Sequence, residues 1–101
     1  MEKRKPHYDL AAIKRALADI TKINRTYSSK QGADELDMDD TDVVEVIQGL
    51  KKEDFEKSMT SVTDHKVWQD VYKPVVGDKT LYVKFTVDAQ KQFLLISFKE
   101  A

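Results

Sequence analysis

The last third of the chain carries a glutamine, a tyrosine and a lysine that could do chemistry together, Gln69, Tyr82 and Lys99. A lysine ammonium supplies positive charge, a phenol can donate or accept a hydrogen bond, and an amide can do both. Side by side, such groups could bind and orient an anion. They can act together only if the fold gathers them, so the elements that carry them decide between a site and an ordinary solvated surface.

Three runs rich in β-branched and aromatic residues carry these side chains. Their alternation predicts strands over Lys66 to Lys73, Thr80 to Val87 and Gln92 to Lys99. The two links between the runs are short, and the first contains Gly77, so both are typical of hairpin connections. The C-terminal third is therefore predicted to be an antiparallel meander.

The alternation in the last two strands also predicts their pairing. A slip of one residue would bury the polar set, so the apolar faces must be brought together. The pairs that do so are Val83 with Ile96 and Leu81 with Phe98. Tyr82 then faces Ser97 and lies diagonally beside Lys99.

The same parity, carried across the Gly77 turn, places Gln69 on the face of Tyr82. His65 has the parity of Gln69 and could join this cluster, or it could be a surface or capping residue. The aromatic residues Trp68 and Tyr72 fall on the other face. They could stack on nucleic-acid bases, but core packing is the alternative.

Helical spacing dominates the first half of the chain. Asp9 is the predicted N-cap of a first helix that ends near Lys22. Its apolar stripe comprises Leu10, Ile13, Leu17 and Ile20. A second helix is predicted from Asp40 or Thr41 to about Gly49. Its buried side comprises Val43, Val44, Ile47 and Leu50.

Two further segments are less regular. Asn24 to Gly32 is polar and holds a breaker run, so it is predicted to be a connection that could be partly extended. Lys52 to Met59 could form another helical turn or two, with Phe55 and Met59 facing the core at a spacing of four. Helices followed by strands predict an α+β fold.

Composition limits the classes of protein that fit. A length of 101 residues predicts one domain, residues 1–101, and 41% hydrophobic with 35% charged residues is typical of a globular chain. There is no cysteine, so disulfides and thiolate metal ligands are excluded. No run is apolar enough for a signal peptide or a membrane span, which predicts a cytoplasmic protein with no membrane partner.

The net charge of −1 hides a segregation along the chain. Residues Gly32 to Leu50 hold seven acids and no base, which leaves 17 bases against 11 acids elsewhere, a net charge of +6. Phosphate backbones are bound largely through lysine and arginine, so a local basic surface for nucleic acid is permitted. The alternative is that the acids only decorate one solvated face.

Several strings along the chain resemble those of the motility quorum-sensing regulator (MqsR) toxins. They occur in family order, at nearly family spacing and over the whole length, which makes the resemblance far more specific than one short motif. The strings are MEKR at the start, PH at 6–7, ADEL at 33–36, DFEKSMTS at 54–61, DHKVWQDVYKP at 64–74, LYVKFT at 81–86 and ISFKE at 96–100.

The resemblance implies a RelE-like α+β fold and the toxin of a type II toxin–antitoxin system. It implies an endoribonuclease that cleaves mRNA at GCU-type sites without the ribosome, a metal ion or a cofactor, and so arrests translation and growth. It also implies an antitoxin partner with a zinc-binding N-terminal domain and a helix-turn-helix C-terminal domain, through which the toxin would meet operator DNA indirectly. The implied catalytic residues are Lys57, Gln69, Tyr82 and Lys99.

Metal-free RNA cleavage needs a base for the ribose 2′-hydroxyl, charge stabilisation at phosphorus and an acid for the leaving 5′-oxygen. Lys57 and Lys99 could supply charge to the phosphate oxygens. Tyr82 could hold a hydroxyl or pass a proton, and Gln69 could orient phosphate or base. A lysine or tyrosine could transfer protons near neutral pH only if the site lowered its pKa, for which neighbouring lysines are a physical cause.

Two other functions fit the residues. One is a catalytically inactive module that binds only an antitoxin, which growth arrest on expression would exclude. The other is a regulator that binds RNA without cutting it, which would show salt-dependent binding and no shortened products.

Overall fold

The computed structural model describes all 101 residues and confirms the predicted α+β class, with three helices and six strands. The elements, in chain order, are β1 (Glu2–Lys3), α1 (Leu10–Ala16), α2 (Tyr27–Glu35), α3 (Asp40–Gln48), a 3₁₀ turn (Lys52–Asp54), β2 (Phe55–Thr60), β3 (Trp68–Tyr72), β4 (Val75–Val76), β5 (Lys79–Val87) and β6 (Phe93–Glu100). None of the helices has the length and apolar character that a membrane span requires.

All the strands join one antiparallel sheet. β1, β2, β3 and β5 follow one another across it, and β5 also pairs with the short β4 and with β6. The predicted meander of three strands is thus part of a larger sheet to which β1, β2 and the short β4 add three more. β5 is its centre, because three other strands pair with it.

The helices and one face of the sheet enclose the main core. Side chains from α1, α2, α3 and the segment after it meet those of β3, β5 and β6, and burial of this apolar surface stabilises the fold. The buried cluster comprises Ile13, Leu17, Ala33, Val43, Ile47, Leu50, Tyr72, Leu81, Val83, Phe85, Leu95 and Phe98.

The first helix begins as predicted but ends earlier. The Asp9 side chain accepts a hydrogen bond from the Ala11 backbone N–H, which confirms the N-cap. The helix ends at Ala16 rather than near Lys22, because Asp19 accepts hydrogen bonds from the backbone and hydroxyl of Thr21 and so favours a local turn. Ile20, predicted in the buried stripe, is 45% exposed.

The connection predicted over Asn24 to Gly32 is wrong, because this stretch contains most of α2. Thr26 caps the helix by accepting from the Ser29 backbone N–H, and Gly32 lets it approach β6 closely. A Cβ at position 32 would lie 2.0 Å from the Phe98 carbonyl oxygen, so only glycine fits there. The helix is stabilised by this packing more than by an apolar stripe.

The helical turns predicted over Lys52 to Met59 are also wrong beyond Asp54. Only a 3₁₀ turn forms before β2, which pairs with β1 on one side and β3 on the other. A spacing of four places Phe55 and Met59 on one face of a helix, but also on one face of a regular strand. The spacing therefore does not distinguish the two structures.

Candidate active site

The outer face of the sheet, opposite the main core, holds a group of cationic and polar side chains. On β5 and β6, Tyr82 pairs directly with Lys99, and Lys84 pairs with Ser97. The Nζ atoms of Lys99 and Lys84 lie 5.4 and 5.7 Å from the centre of the Tyr82 ring. Two ammonium groups therefore lie near the ring of one phenol.

The predicted register of these strands is wrong by two residues. Val83 pairs with Phe98 instead of Ile96, and Leu81 pairs with Glu100. Beyond Lys84 the register shifts, because Ile96 is an extra residue in β6. This bulge lets Leu95 and Phe98, three residues apart, both enter the core, which strict alternation does not allow. It also brings Tyr82 and Lys99 directly opposite each other rather than diagonal.

A second bulge, in β2, places Lys57 on the outer face. Phe55 pairs with Tyr72 and Lys57 with Val71, so Glu56 is the extra residue. Without it, Phe55 and Lys57 would share a face. With it, the Phe55 ring meets the Tyr72 ring in the core at a centroid distance of 5.5 Å, and Lys57 points outward.

Pairing across β2, β3, β5 and β6 places Lys57 in one row with Lys84 and Ser97. Lys57 pairs with Val71, which pairs with Lys84 on β5. Strands lie about 4.8 Å apart, so the Cα atoms of Lys57 and Lys84 are about 10 Å apart, and their long side chains can converge on one small anion. Val71 is fully buried between them.

Gln69 shares this face, because it lies two residues before Val71 on β3 and pairs with Met59 on β2. All four residues implied by the family resemblance thus lie on one side of the sheet. His65 does not join them, since it is exposed in the turn that precedes β3.

Lys57 and Lys84 have opposite electrostatic surroundings. The Nζ of Lys57 lies 2.8 Å from Oε1 of Glu2, and this partner raises the pKa of the Lys57 ammonium. Burial, followed by the positive charges of Lys99 and Lys57, lowers the pKa of Lys84. Neighbouring lysines therefore lower a lysine pKa as expected, but at Lys84, which the sequence did not single out.

The available signal for Lys84 was its spacing of two residues from Tyr82 in LYVKFT, which places both side chains on the same face of a strand. The same face could equally be a solvated surface, so this signal was not specific. The half-buried position of Lys84 near two other lysines became visible only with the strand register.

The core side of β3 carries a carboxylate, that of Asp70, which is fully buried. It accepts hydrogen bonds from the His7 backbone N–H (3.0 and 3.2 Å), the Tyr8 backbone N–H (2.9 Å) and the Ser58 hydroxyl (2.6 Å). These bonds fasten the N-terminal segment to the sheet, so Asp70 has a structural role.

The two aromatic residues of β3 do not lie on the outer face. Tyr72 is buried in the core, where burial raises the pKa of its phenol to about 12. Trp68 stacks on the His7 ring at a centroid distance of 5.3 Å, and the Lys3 Nζ lies 4.1 Å from the Trp68 ring centre. Trp68 and Tyr72 therefore pack against other parts of the protein, as the second of the two interpretations expected.

Three ammonium groups, a phenol and an amide on one uncovered face can bind an anion and stabilise negative charge that develops on it. No cluster of three or more histidine, aspartate or glutamate side chains is arranged to hold a metal ion.

Comparison with known proteins gives two findings. A family model described as the motility quorum-sensing regulator, toxin of MqsA, matches residues 5–100. The chain is also 43% identical over 100 residues to the mRNA interferase toxin MqsR of Escherichia coli (strain K12), and the match covers 99% of each chain.

Proposed function

This chain belongs to the motility quorum-sensing regulator toxin family, and we propose from that premise that it is a toxin that cleaves messenger RNA as an endoribonuclease. The observation that carries the proposal is the convergence of Lys57, Lys99 and Tyr82 on the uncovered face, in a chain matched over nearly its whole length. Residues 1–101 act as one toxin domain, and the reaction takes place in the cytoplasm, where mRNA is translated.

Cleavage proceeds by attack of a ribose 2′-oxygen on the adjacent phosphorus. The 2′-hydroxyl gives up its proton as the new bond forms, the bond to the 5′-oxygen breaks, and the departing 5′-oxygen takes up a proton. This leaves a cyclic phosphate and a 5′-hydroxyl. The phosphorus centre carries more negative charge in the transition state than in the diester, so cations beside it lower the barrier. Lys57 and Lys99 supply this charge and make a metal ion unnecessary.

The remaining groups position the substrate. The Tyr82 ring lies near the ammonium groups of Lys84 and Lys99, and its hydroxyl can hold the 2′-hydroxyl or relay its proton. Gln69 lies at the β2–β3 side of the face, where its amide can orient a phosphate or a base. The raised pKa of Lys57 supports a role as a fixed positive charge rather than as a proton-transfer group.

Family membership brings a cognate antitoxin as the partner of this toxin. We propose that the antitoxin has a zinc-binding N-terminal domain that engages the toxin and a helix-turn-helix domain that binds operator DNA. The toxin itself contacts mRNA, with a preference for GCU-type sites and no need for the ribosome.

The test is incubation of the purified chain with a single-stranded RNA that contains several GCU triplets, in EDTA, with products resolved on a sequencing gel. We expect cuts by the wild type and a loss of about 100-fold to 1,000-fold in rate for Lys57→Ala and for Lys99→Ala, the size typical of removing one preorganised charge-stabilising group. Lys79→Ala is the matched control, because Lys79 is an exposed lysine of the same sheet.

Circular dichroism must show that the variants are folded. Folded wild-type protein that makes no cuts would refute the ribonuclease and favour the inactive binding module. Cuts by the wild type and by both alanine variants at equal rates would refute the assigned residues and leave the activity in place.

A further inference from the structure

Lys84 occupies the middle of the candidate active site. It lies on the central strand β5, opposite Val71 on β3 and Ser97 on β6, and two residues after Tyr82. The row that crosses the sheet through Lys84 begins at Lys57, so Lys84 lies between the two sides of the site.

The Lys84 side chain is half-buried, yet it forms no ion pair and no side-chain hydrogen bond. Burial removes water from the ammonium, and Lys57 and Lys99 add like-charge repulsion. Both effects disfavour the charged form in the folded protein. Lys84 therefore carries a charge that costs the free protein stability.

Lys57 and Lys84 differ in the charges of their neighbours. Lys57 has a carboxylate partner, Glu2, at 2.8 Å, whereas Lys84 has three cationic or aromatic neighbours and none that is anionic. An anion that enters the face would relieve the repulsion around Lys84 and replace the missing partner. The arrangement is that of an anion-binding site formed before the anion arrives.

We propose that Lys84 is a further catalytic residue, whose ammonium contacts a non-bridging oxygen of the scissile phosphate and stabilises the transition state of cleavage. This proposal rests on the proposed ribonuclease function. The negative charge of the bound phosphate offsets the burial and the like charges that lower the pKa of Lys84, so its ammonium supplies charge rather than a proton. It acts while the 2′-oxygen bonds to phosphorus and the 5′-oxygen leaves, when the phosphate oxygens gain charge.

The test compares Lys84→Met, Lys84→Arg and Lys79→Met with the wild type, by single-turnover cleavage of the GCU-containing RNA and by thermal unfolding. Methionine keeps the apolar stem and removes the charge, arginine keeps the charge, and Lys79 is an exposed lysine of the same strand. We expect Lys84→Met to lose at least about 100-fold in cleavage rate at saturating protein, while Lys84→Arg retains at least about a tenth of the rate.

Thermal unfolding separates this role from a structural one. Because the charge of Lys84 is disfavoured in the folded protein, Lys84→Met should melt at the same temperature as the wild type or higher. A residue needed for folding would instead lower the melting temperature. A folded Lys84→Met that cleaves within about threefold of the wild type, or one that melts well below it, would overturn the proposal.

The failure of this proposal is distinguishable from failure of the proposed function. If the wild type cleaves and Lys57→Ala does not, but Lys84→Met does, only the role of Lys84 is refuted. If the folded wild type makes no cuts, the ribonuclease function is refuted, and the role of Lys84 with it.

Discussion

Asp70 and Lys84 are ionisable residues on neighbouring strands and opposite faces of the sheet, and their surroundings differ completely. Asp70 is fully buried and accepts hydrogen bonds from Ser58 and from the backbone of His7 and Tyr8. Lys84 is half-buried and has neither a hydrogen-bond acceptor nor an opposite charge beside it.

The difference shows how to separate structural from functional polar groups in this fold. A buried charge stabilises a fold only when its partners compensate the loss of water, and Asp70 meets that condition. Lys84 has no such partner within the chain, and we propose that the RNA phosphate is its partner. The N-terminal segment covers Asp70 on the core side of β3, whereas Gln69, Tyr82 and Lys84 on the outer face are partly exposed.

The largest expected effect is a loss of stability when Asp70, whose carboxylate has its hydrogen-bond donors within the chain, is replaced. Asp70→Ala leaves the Ser58 hydroxyl and two backbone N–H groups without their acceptor, and we expect a loss of about 3 kcal/mol or more in unfolding free energy. Urea unfolding followed by fluorescence measures this loss. Asp78→Ala is the control, since Asp78 is exposed in the Gly77 turn, and it should change stability by about 0.5 kcal/mol or less.

The structural role of Asp70 would be refuted if Asp70→Ala were as stable as the wild type. A lower cleavage rate per folded molecule of the variant would also contradict a purely structural role, because Asp70 would then contribute to the candidate active site as well.

A smaller effect, on RNA affinity, is expected from the ion pair between Glu2 and Lys57. Glu2 forms an ion pair with Lys57, a lysine of the outer face, through a partly exposed contact. Glu2→Gln should free Lys57 for phosphate, so RNA binding at low salt should tighten by about threefold, and stability should change little because exposed ion pairs contribute little. Fluorescence anisotropy with a non-cleavable 2′-deoxy RNA measures the affinity. Weaker binding would show that Glu2 orients Lys57 rather than competing for it.

The smallest expected effect is a pH dependence of the N-terminal segment that covers Asp70. Burial, then the charge of Lys3, lowers the pKa of His7, although Asp70 opposes the shift. His7 protonates more readily in the unfolded chain. Its contribution to stability is therefore fully present above about pH 6.5 and is lost as the pH falls through the folded-state pKa.

Melting temperatures at pH 7.5 and pH 5 test this sign. The decrease on acidification should be smaller in His7→Gln than in the wild type. His65→Gln, which changes the other histidine in an exposed turn, should keep the wild-type decrease. Equal decreases in the wild type and His7→Gln would exclude His7 as the titrating group.

Local signals in the sequence predicted a good part of the fold. The Asp9 cap, the helix near Asp40 to Gly49 and the hairpin turn at Gly77 were all predicted correctly, because each depends on a few neighbouring residues. The positive φ of 63° at Gly77 is a conformation that glycine adopts without strain.

Other elements could not be predicted locally. α2 has a polar sequence; it approaches β6 closely at Gly32, and its Ala33 lies in the main core. β2 pairs with β1, which lies far from it in sequence, and with β3 across the loop at residues 61–67, and its pattern alone did not distinguish it from a helix.

The sequence by itself determined the family, the fold class and the presence of Gln69, Tyr82 and Lys99 on one sheet face, because strand parity and family strings are properties of the chain alone. Only the tertiary structure decided that Lys57 joins that face and that Lys84 lies among the cations. Both outcomes depend on the bulges at Glu56 and Ile96 and on how β2, β3, β5 and β6 pair across the sheet. An extra residue reverses the parity of all that follows, and its position is set by packing rather than by any local pattern.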